Sequence, residues 1–258
     1  MDPVQLSIFA NRLAGICDEM GALLRASALS PNIKDRLDFS CAIFDAAGGL
    51  CAQAAHIPVH LGSMAYAMAD LVEGRDWRPG DLLVVNDPYL GGTHLPDVTV
   101  VAPVFAGERL AAFTVTRAHH ADFAAQASAC EAGARRLAAL IGERGLEALR
   151  ASLDALNTYG ERRMRQRLAD LADGEYRFSD VMDDDGQGRF DIPLVVTLRV
   201  QGDGAELDFT GTADQVSGNI NCPLSVAAAA AYYCFRCLLP DDAPSCAGLF
   251  RPIALSAP

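Results

Sequence analysis

The chain has 258 residues, a formal net charge of -12, 51% hydrophobic and 21% charged residues, which excludes disorder and leaves room for one large or two small domains. The acidic balance argues against a nucleic-acid surface, because phosphate binding draws on clustered Lys and Arg. The N-terminal stretch lacks the basic start and apolar core of a signal peptide, and no apolar run reaches the roughly 20 residues of a membrane span, so a cytoplasmic protein without membrane contact is expected.

Apolar positions Val4, Leu6, Ile8, Phe9, Leu13, Ile16, Met20, Leu23 and Leu24 recur at helical spacing and predict an amphipathic helix over 3–28. Pro31 breaks that pattern, and two strand-like runs follow around the turn Ala46-Ala47-Gly48-Gly49. Leu61, Met64, Met68 and Leu71 mark a second helix that starts near Gly62 or Ser63 and ends at Gly74. His56 and His60 precede it, four residues apart with Pro58 between them. Because a proline pushes its predecessor out of the helical region, the two histidines are expected on a loop, either without a role or at the rim of a site. The run DLLVVNDPYLGG reads as a buried strand ending in a loop, with Asp87-Pro88 and Gly91-Gly92 as turn signals.

A hairpin comes next: VTVVAPVF and RLAAFTVT are β-rich, of similar length, and joined by Ala106-Gly107-Glu108. Two or three helices are expected after Asp122, weakened at Gly142, Gly145 and Gly160, with the Arg162 to Arg167 cluster as a solvated face. The acidic run Asp183-Asp184-Asp185-Gly186 lacks the spacing and closing Glu of a calcium loop and reads as a solvated turn, followed by a hairpin around Gly202-Asp203-Gly204. A packed helix over the Ala-rich segment and a strand at Ile253 to Leu255 complete the pattern. The eight cysteines are expected as reduced, buried thiols, and the one CxxC, Cys234 and Cys237, as core packing rather than zinc binding. Hairpins alternate with helical blocks, with neither a βαβ rhythm nor a nucleotide-binding Gly-rich turn, so the fold class is α+β, with a candidate site on loops at strand ends.

That site lies in the stretch 86–122, which holds three of the five histidines together with Asp87, Asp97 and Asp122. Antiparallel pairing of the hairpin puts His94 and Asp97 beside His119 and Asp122. Two imidazoles and one carboxylate with open positions form a known metal-binding arrangement, and His94, Asp97 and His119 supply it for Zn²⁺, Mn²⁺ or Fe²⁺. Asp87, His120 and Asp122 are further ligands or groups that orient the imidazoles. The alternative is that all of them are hydrogen-bonding residues that tie loops together. No nucleophile-and-base signature and no GxxxxGKS-type phosphate loop is present.

NDPYLGGTHLPDV, DFSCAIFD, HIPVHLGSM and RAHHAD, followed by ACEAGARRL, DVMDDDGQGRFD, LDFTGT and GNIN, strongly resemble the hydantoinase B/oxoprolinase family in the family's order and over nearly the whole chain. The resemblance implies a metal-dependent subunit of an ATP-dependent cyclic amidohydrolase of the N-methylhydantoinase or 5-oxoprolinase type. ATP would sit on a separate hydantoinase A-type partner in a hetero-oligomer, and the substrate would be a hydantoin or lactam. It also implies a His-x-x-Asp pair and a later histidine as ligands, matching His94, Asp97 and His119, with Asp122 or His120 taking a proton. An acetone carboxylase-type subunit acting on a ketone and a non-catalytic family member are the alternatives. The chain departs from the family pattern in passing directly from Asp122 to FAAQASACEAG, without the long segment with a PGS-type motif expected there, and in lacking a Gly-rich C-terminal region. Residues 1–258 therefore read as one shortened domain whose exposed apolar surface needs a partner.

Overall fold

The computed structural model describes residues 2–55 and 57–258. The first helix, α1, runs Pro3–Ser27 and buries Phe9, Leu13, Ile16, Cys17, Met20 and Leu24 along one stripe, while Val4, Ile8 and Leu23 of the expected apolar set are exposed. Pro31 does not simply end a helix: it opens a single turn, α2 (Pro31–Lys34), whose Ser30 cap accepts from Asn32 N.

A five-stranded sheet follows, formed by β1 (Phe39–Asp45), β2 (Leu50–Ala55), β3 (Leu83–Val85), β4 (Asp97–Ala106) and β5 (Arg109–His119). Its order is β2-β1-β5-β4-β3, with all neighbours antiparallel. The expected hairpins β1–β2 and β4–β5 are both present. The contact that builds the sheet is between them, where Phe39 to Asp45 pairs with Ala118 to Ala112. At the first turn Gly48 adopts φ +83° while the Asp45 carboxylate accepts from Ala47 N and Gly49 N.

Side chains alternate across this sheet. Phe39, Cys41 and Ile43 enter a core with α1, α4 (Phe123–Arg144) and α5 (Leu146–Ala169). Ala42, Phe44, Val101, Phe113 and Val115 face Met64, Met68 and Leu71 of α3 (Pro58–Val72). With both faces covered, the central strands have no side left to solvent, hence their mostly apolar character in sequence.

Two expectations change here. The helix α3 starts at Pro58, not near Gly62 or Ser63, because proline is suited to the first helical position, and His60 is therefore on the helix rather than on a loop. His56 lies outside the described residues. β3 is a short edge strand, with Val84 and the preceding Leu82 about half exposed, not a buried strand.

Two long helices follow Asp122, separated at Gly145 (φ +82°). Gly160 stays inside α5, where the Cys246 thiol and Leu249 approach too closely for a side chain. Arg165 on the solvated face bonds Glu161 and Asp203. The second sheet has the order β6-β7-β8-β9, from β6 (Gly174–Asp184), β7 (Phe190–Gln201), β8 (Gly204–Asp208) and β9 (Ile253–Ser256). The acidic run is not merely a solvated turn: Asp185 is buried and accepts from the backbone of Gln187, Arg189 and Gly218. Those N–H donors hold its carboxyl below the usual aspartate range.

The last helix, α6 (Leu224–Arg236), lies against α3 at Gly62, where a Cβ would come within 2.4 Å of Ala229 Cα. Cys17, Cys41, Cys51, Cys130 and Cys246 are buried free thiols, but Cys222, Cys234 and Cys237 are exposed. The CxxC pair thus sits exposed at the C-terminal end of α6 and is not core packing. Among the described residues no helix is long and apolar enough to cross a membrane.

Candidate metal centre

The layer between the first sheet and α3 is apolar through most of its length and turns polar at one end. Successive same-face positions change from Phe44 and Ala42 to Ser40 on β1, from Val101 to Thr99 and Asp97 on β4, and from Phe113 and Val115 to Arg117 and His119 on β5. α3 meets this end with His60 and Ser63, one turn before Met64 and Met68. Antiparallel pairing sets Asp97 directly opposite His119.

Asp97 is the centre of the cluster and is 2% exposed. Its Oδ2 lies 3.4 Å from His60 Nε2 and 3.4 Å from His94 Nδ1, and also accepts from the Thr93 hydroxyl. Ser40 Oγ is 3.1 Å from His60 Nδ1, which leaves the other ring nitrogen directed at Asp97. Asp38, just ahead of β1, completes a group with His60 and Asp97 in which one ligand atom from each lies within 4.8 Å of the others. The His119 ring lies 4.5 Å from that of His120, tilted by 34°, and stands 6.5 Å, edge to face, from His94.

Two atoms in this cluster are buried without a hydrogen-bond partner, Asp97 Oδ1 and His119 Nδ1. Buried polar atoms are nearly always paired, and these two lie in a cluster of ligand-type groups. Carboxylate oxygen and imidazole nitrogen suit Mn²⁺ or Zn²⁺, and the residues present therefore fit a divalent ion.

Of the sequence-derived ligands, His94 and Asp97 are in contact through their side chains and His119 faces Asp97 across the strand pair. Asp38 was not anticipated, and His60 was expected at most at the rim of the site. Reading α3 from Pro58 would have put His60 on the same face as Met64 and Met68; nothing local marks Asp38. Asp87 is committed elsewhere, accepting from Tyr89 N to cap the short turn Pro88–Leu90. Asp122 accepts from Leu29 N at 2.9 Å and Ser30 N at 2.8 Å, one bond to each oxygen, so it ties the end of β5 to the segment between α1 and α2. Asp122→Ala should lower stability by about 1–3 kcal/mol, the cost of lost charge-assisted bonds, while metal affinity stays within about threefold; thermal unfolding and metal titration on the same sample check both. His120 is exposed, and its backbone N–H is held by the Pro96 carbonyl at 2.7 Å. Burial pushes the Arg117 guanidinium down to about 10, against the opposing pull of Asp97.

Two mostly antiparallel sheets with packed helices thus carry a His/Asp cluster where β4 begins and β5 ends, and its groups could hold a divalent ion. The chain belongs to the hydantoinase B/oxoprolinase family, whose model matches residues 2–124 and 121–258. It is 32% identical over 333 aligned positions to a 5-oxoprolinase of Saccharomyces cerevisiae, taking in 100% of this chain and 25% of that protein. It thus spans about a quarter of that relative's length. The ATP-dependent caprolactamase of Pseudomonas jessenii superposes with a TM-score of 0.91 at 24% identity, over 100% of this chain and 54% of that one. A nucleotide-free acetone carboxylase gives a TM-score of 0.83 at 16% identity, over 98% of this chain and 43% of that one. At these identities the likeness to both structures is one of fold.

Proposed function

We propose that this chain is the metal-bearing unit of an ATP-dependent hydrolase of cyclic amides, of the hydantoinase or 5-oxoprolinase type. The observation that carries the reading is the buried Asp97 with one oxygen unpaired, surrounded by His60, His94 and Asp38 and facing His119. Family membership and 5-oxoprolinase relatives support the reaction class.

In this reading Asp38, His60, Asp97, His94 and His119 are the groups available to hold one divalent ion. Such an ion, when bound, supplies Lewis acidity toward a carbonyl or a water. Ser40 fixes the ring of His60 through Nδ1, and Thr93 fixes Asp97, so the donors keep their orientation. His120, exposed and beside His119, is the imidazole free to take or return a proton at a ring nitrogen as the amide C–N bond opens. The expected role of Asp122 as a base passes to His120, because both Asp122 oxygens are engaged by backbone N–H.

ATP belongs in this scheme to a hydantoinase A-type partner that activates the ring, so the working form is a hetero-oligomer. The 333 positions aligned over a chain of 258 residues, together with a family match that divides at 121–124, support an internal segment present in relatives after Asp122 and absent here. The test combines the metal-loaded protein with a hydantoinase A-type subunit, ATP, and either a hydantoin or 5-oxoproline. Ring opening coupled to ADP release, and lost with His120→Ala, is the expected result. Bicarbonate uptake with a ketone substrate, or no turnover by a metal-replete complex, would overturn the proposal.

A further inference from the structure

All but one of the segments that carry a candidate ligand, the exception being the one ahead of β1 that holds Asp38, also contribute to a single buried side chain. Arg117 is 1% exposed and stands two residues before His119 on the same face of β5. Its Nε donates to Thr99 Oγ1 at 2.8 Å, its Nη1 to Ser63 Oγ at 2.7 Å, and its Nη2 to the Gly91 carbonyl at 2.8 Å. Thr99 follows Asp97 by two residues on β4, Ser63 follows His60 by three on α3, and Gly91 precedes His94 by three in the connecting loop. One guanidinium therefore joins the four chain segments whose relative placement decides whether their donors converge.

The acceptors are themselves held. The Ser63 hydroxyl donates to the Val59 carbonyl, so its lone pairs face Arg117. The neighbouring Gly92 carbonyl accepts from Ser225 Oγ at 2.7 Å, so two successive carbonyls of the ligand loop are gripped from opposite sides. Among the described residues Arg117 forms no direct ion pair, and the charge that acts on it is Asp97. A buried cation is costly to desolvate. A core that needed only volume here would be served by a methionine or leucine. A planar fork with donors in fixed directions is what three acceptors on three elements require, and a flexible ammonium cannot supply it.

We propose that Arg117 is the positioning residue of this metal centre, fixing α3, β4, β5 and the 86–97 loop in register so that His60, Asp97, His119 and His94 meet. The inference rests on the metal reading and goes beyond it in assigning the residue that assembles the site without touching the ion.

The test is Mn²⁺ titration of the wild type, Arg117→Lys and Arg117→Met, read by the electron spin resonance of bound ion and by amide hydrogen exchange. Both variants should bind Mn²⁺ at least about tenfold more weakly, since partners of this kind are worth about 10–100-fold, with altered line shape in whatever ion is bound. Exchange should quicken at 87–97 and not in α5. Ser63→Ala with Thr99→Val, which removes two of the three acceptors, should give a smaller loss in the same direction and carries the test if Arg117→Met does not fold. Unchanged or tighter binding in Arg117→Met, full recovery in Arg117→Lys, or faster exchange spread evenly over the chain would each overturn the positioning role. A wild type that binds no Mn²⁺ would instead remove the metal reading, and this proposal with it.

Discussion

Asp97→Ala is expected to abolish divalent metal binding while leaving the protein folded. Asp97 is the one residue of the cluster that touches both His60 and His94 and stands opposite His119. Its loss removes the shared anion and leaves Asp38, ahead of β1, as the carboxylate that remains to draw a dication among three imidazoles. Since removing even a partner of a ligand weakens metal binding about 10–100-fold, the ligand itself should cost more than about 100-fold in affinity. Asp97→Asn is the matched control, because it keeps the volume and an acceptor for Thr93 while removing the charge. Both variants should fail to retain metal through desalting, as measured by elemental analysis, with circular dichroism close to that of the wild type. Retention of near-stoichiometric metal by Asp97→Asn would move the site elsewhere in the chain.

Gly91→Val should be nearly as severe, through geometry rather than charge. Gly91 has φ +86°, and a Cβ built there would lie 1.8 Å from Ala67 Cβ. A β-branched residue is a poor occupant of that backbone region, and holding it there costs roughly 1–3 kcal/mol. The clash adds to this because Ala67 belongs to the buried face of α3, so the loop must lift away from the helix. Lifting it breaks the Arg117 bond to the Gly91 carbonyl and carries His94 away from Asp97. The expected outcome is a lower unfolding temperature together with weakened Mn²⁺ affinity. Gly74→Val, at a glycine with φ +68° and no neighbour in reach, should show the strain without the metal defect.

The pairing of Asp97 with His119 was legible because it depends on one short turn. Gly107 adopts φ +64° between two β-rich runs, and the register of a hairpin follows from its turn. The coming together of His94, Asp97 and His119 was legible for the same reason. His60 was hidden by Pro58, whose two effects oppose each other: it excludes helix before itself and favours helix starting at itself. The second effect won because α3 has the Met64, Met68 and Leu71 stripe to bury against Phe44 and Phe113. Asp38 could not be found from local pattern at all. It reaches the site only because Phe39 pairs with Ala118, a contact between segments far apart in the chain that neither hairpin specifies. Arg117 was unremarkable in sequence, an Arg in the strand run RLAAFTVTR, and its role depends on partners from three other segments.

The most direct measurement is the metal content of the purified chain after incubation with Mn²⁺ or Zn²⁺ and removal of loosely held ion. A value near one per chain, falling to background in Asp97→Asn, is predicted by the orphaned Asp97 and His119 atoms and their neighbours. No retained metal in the wild type would contradict it, and would leave these residues as hydrogen-bonding ties between the loops.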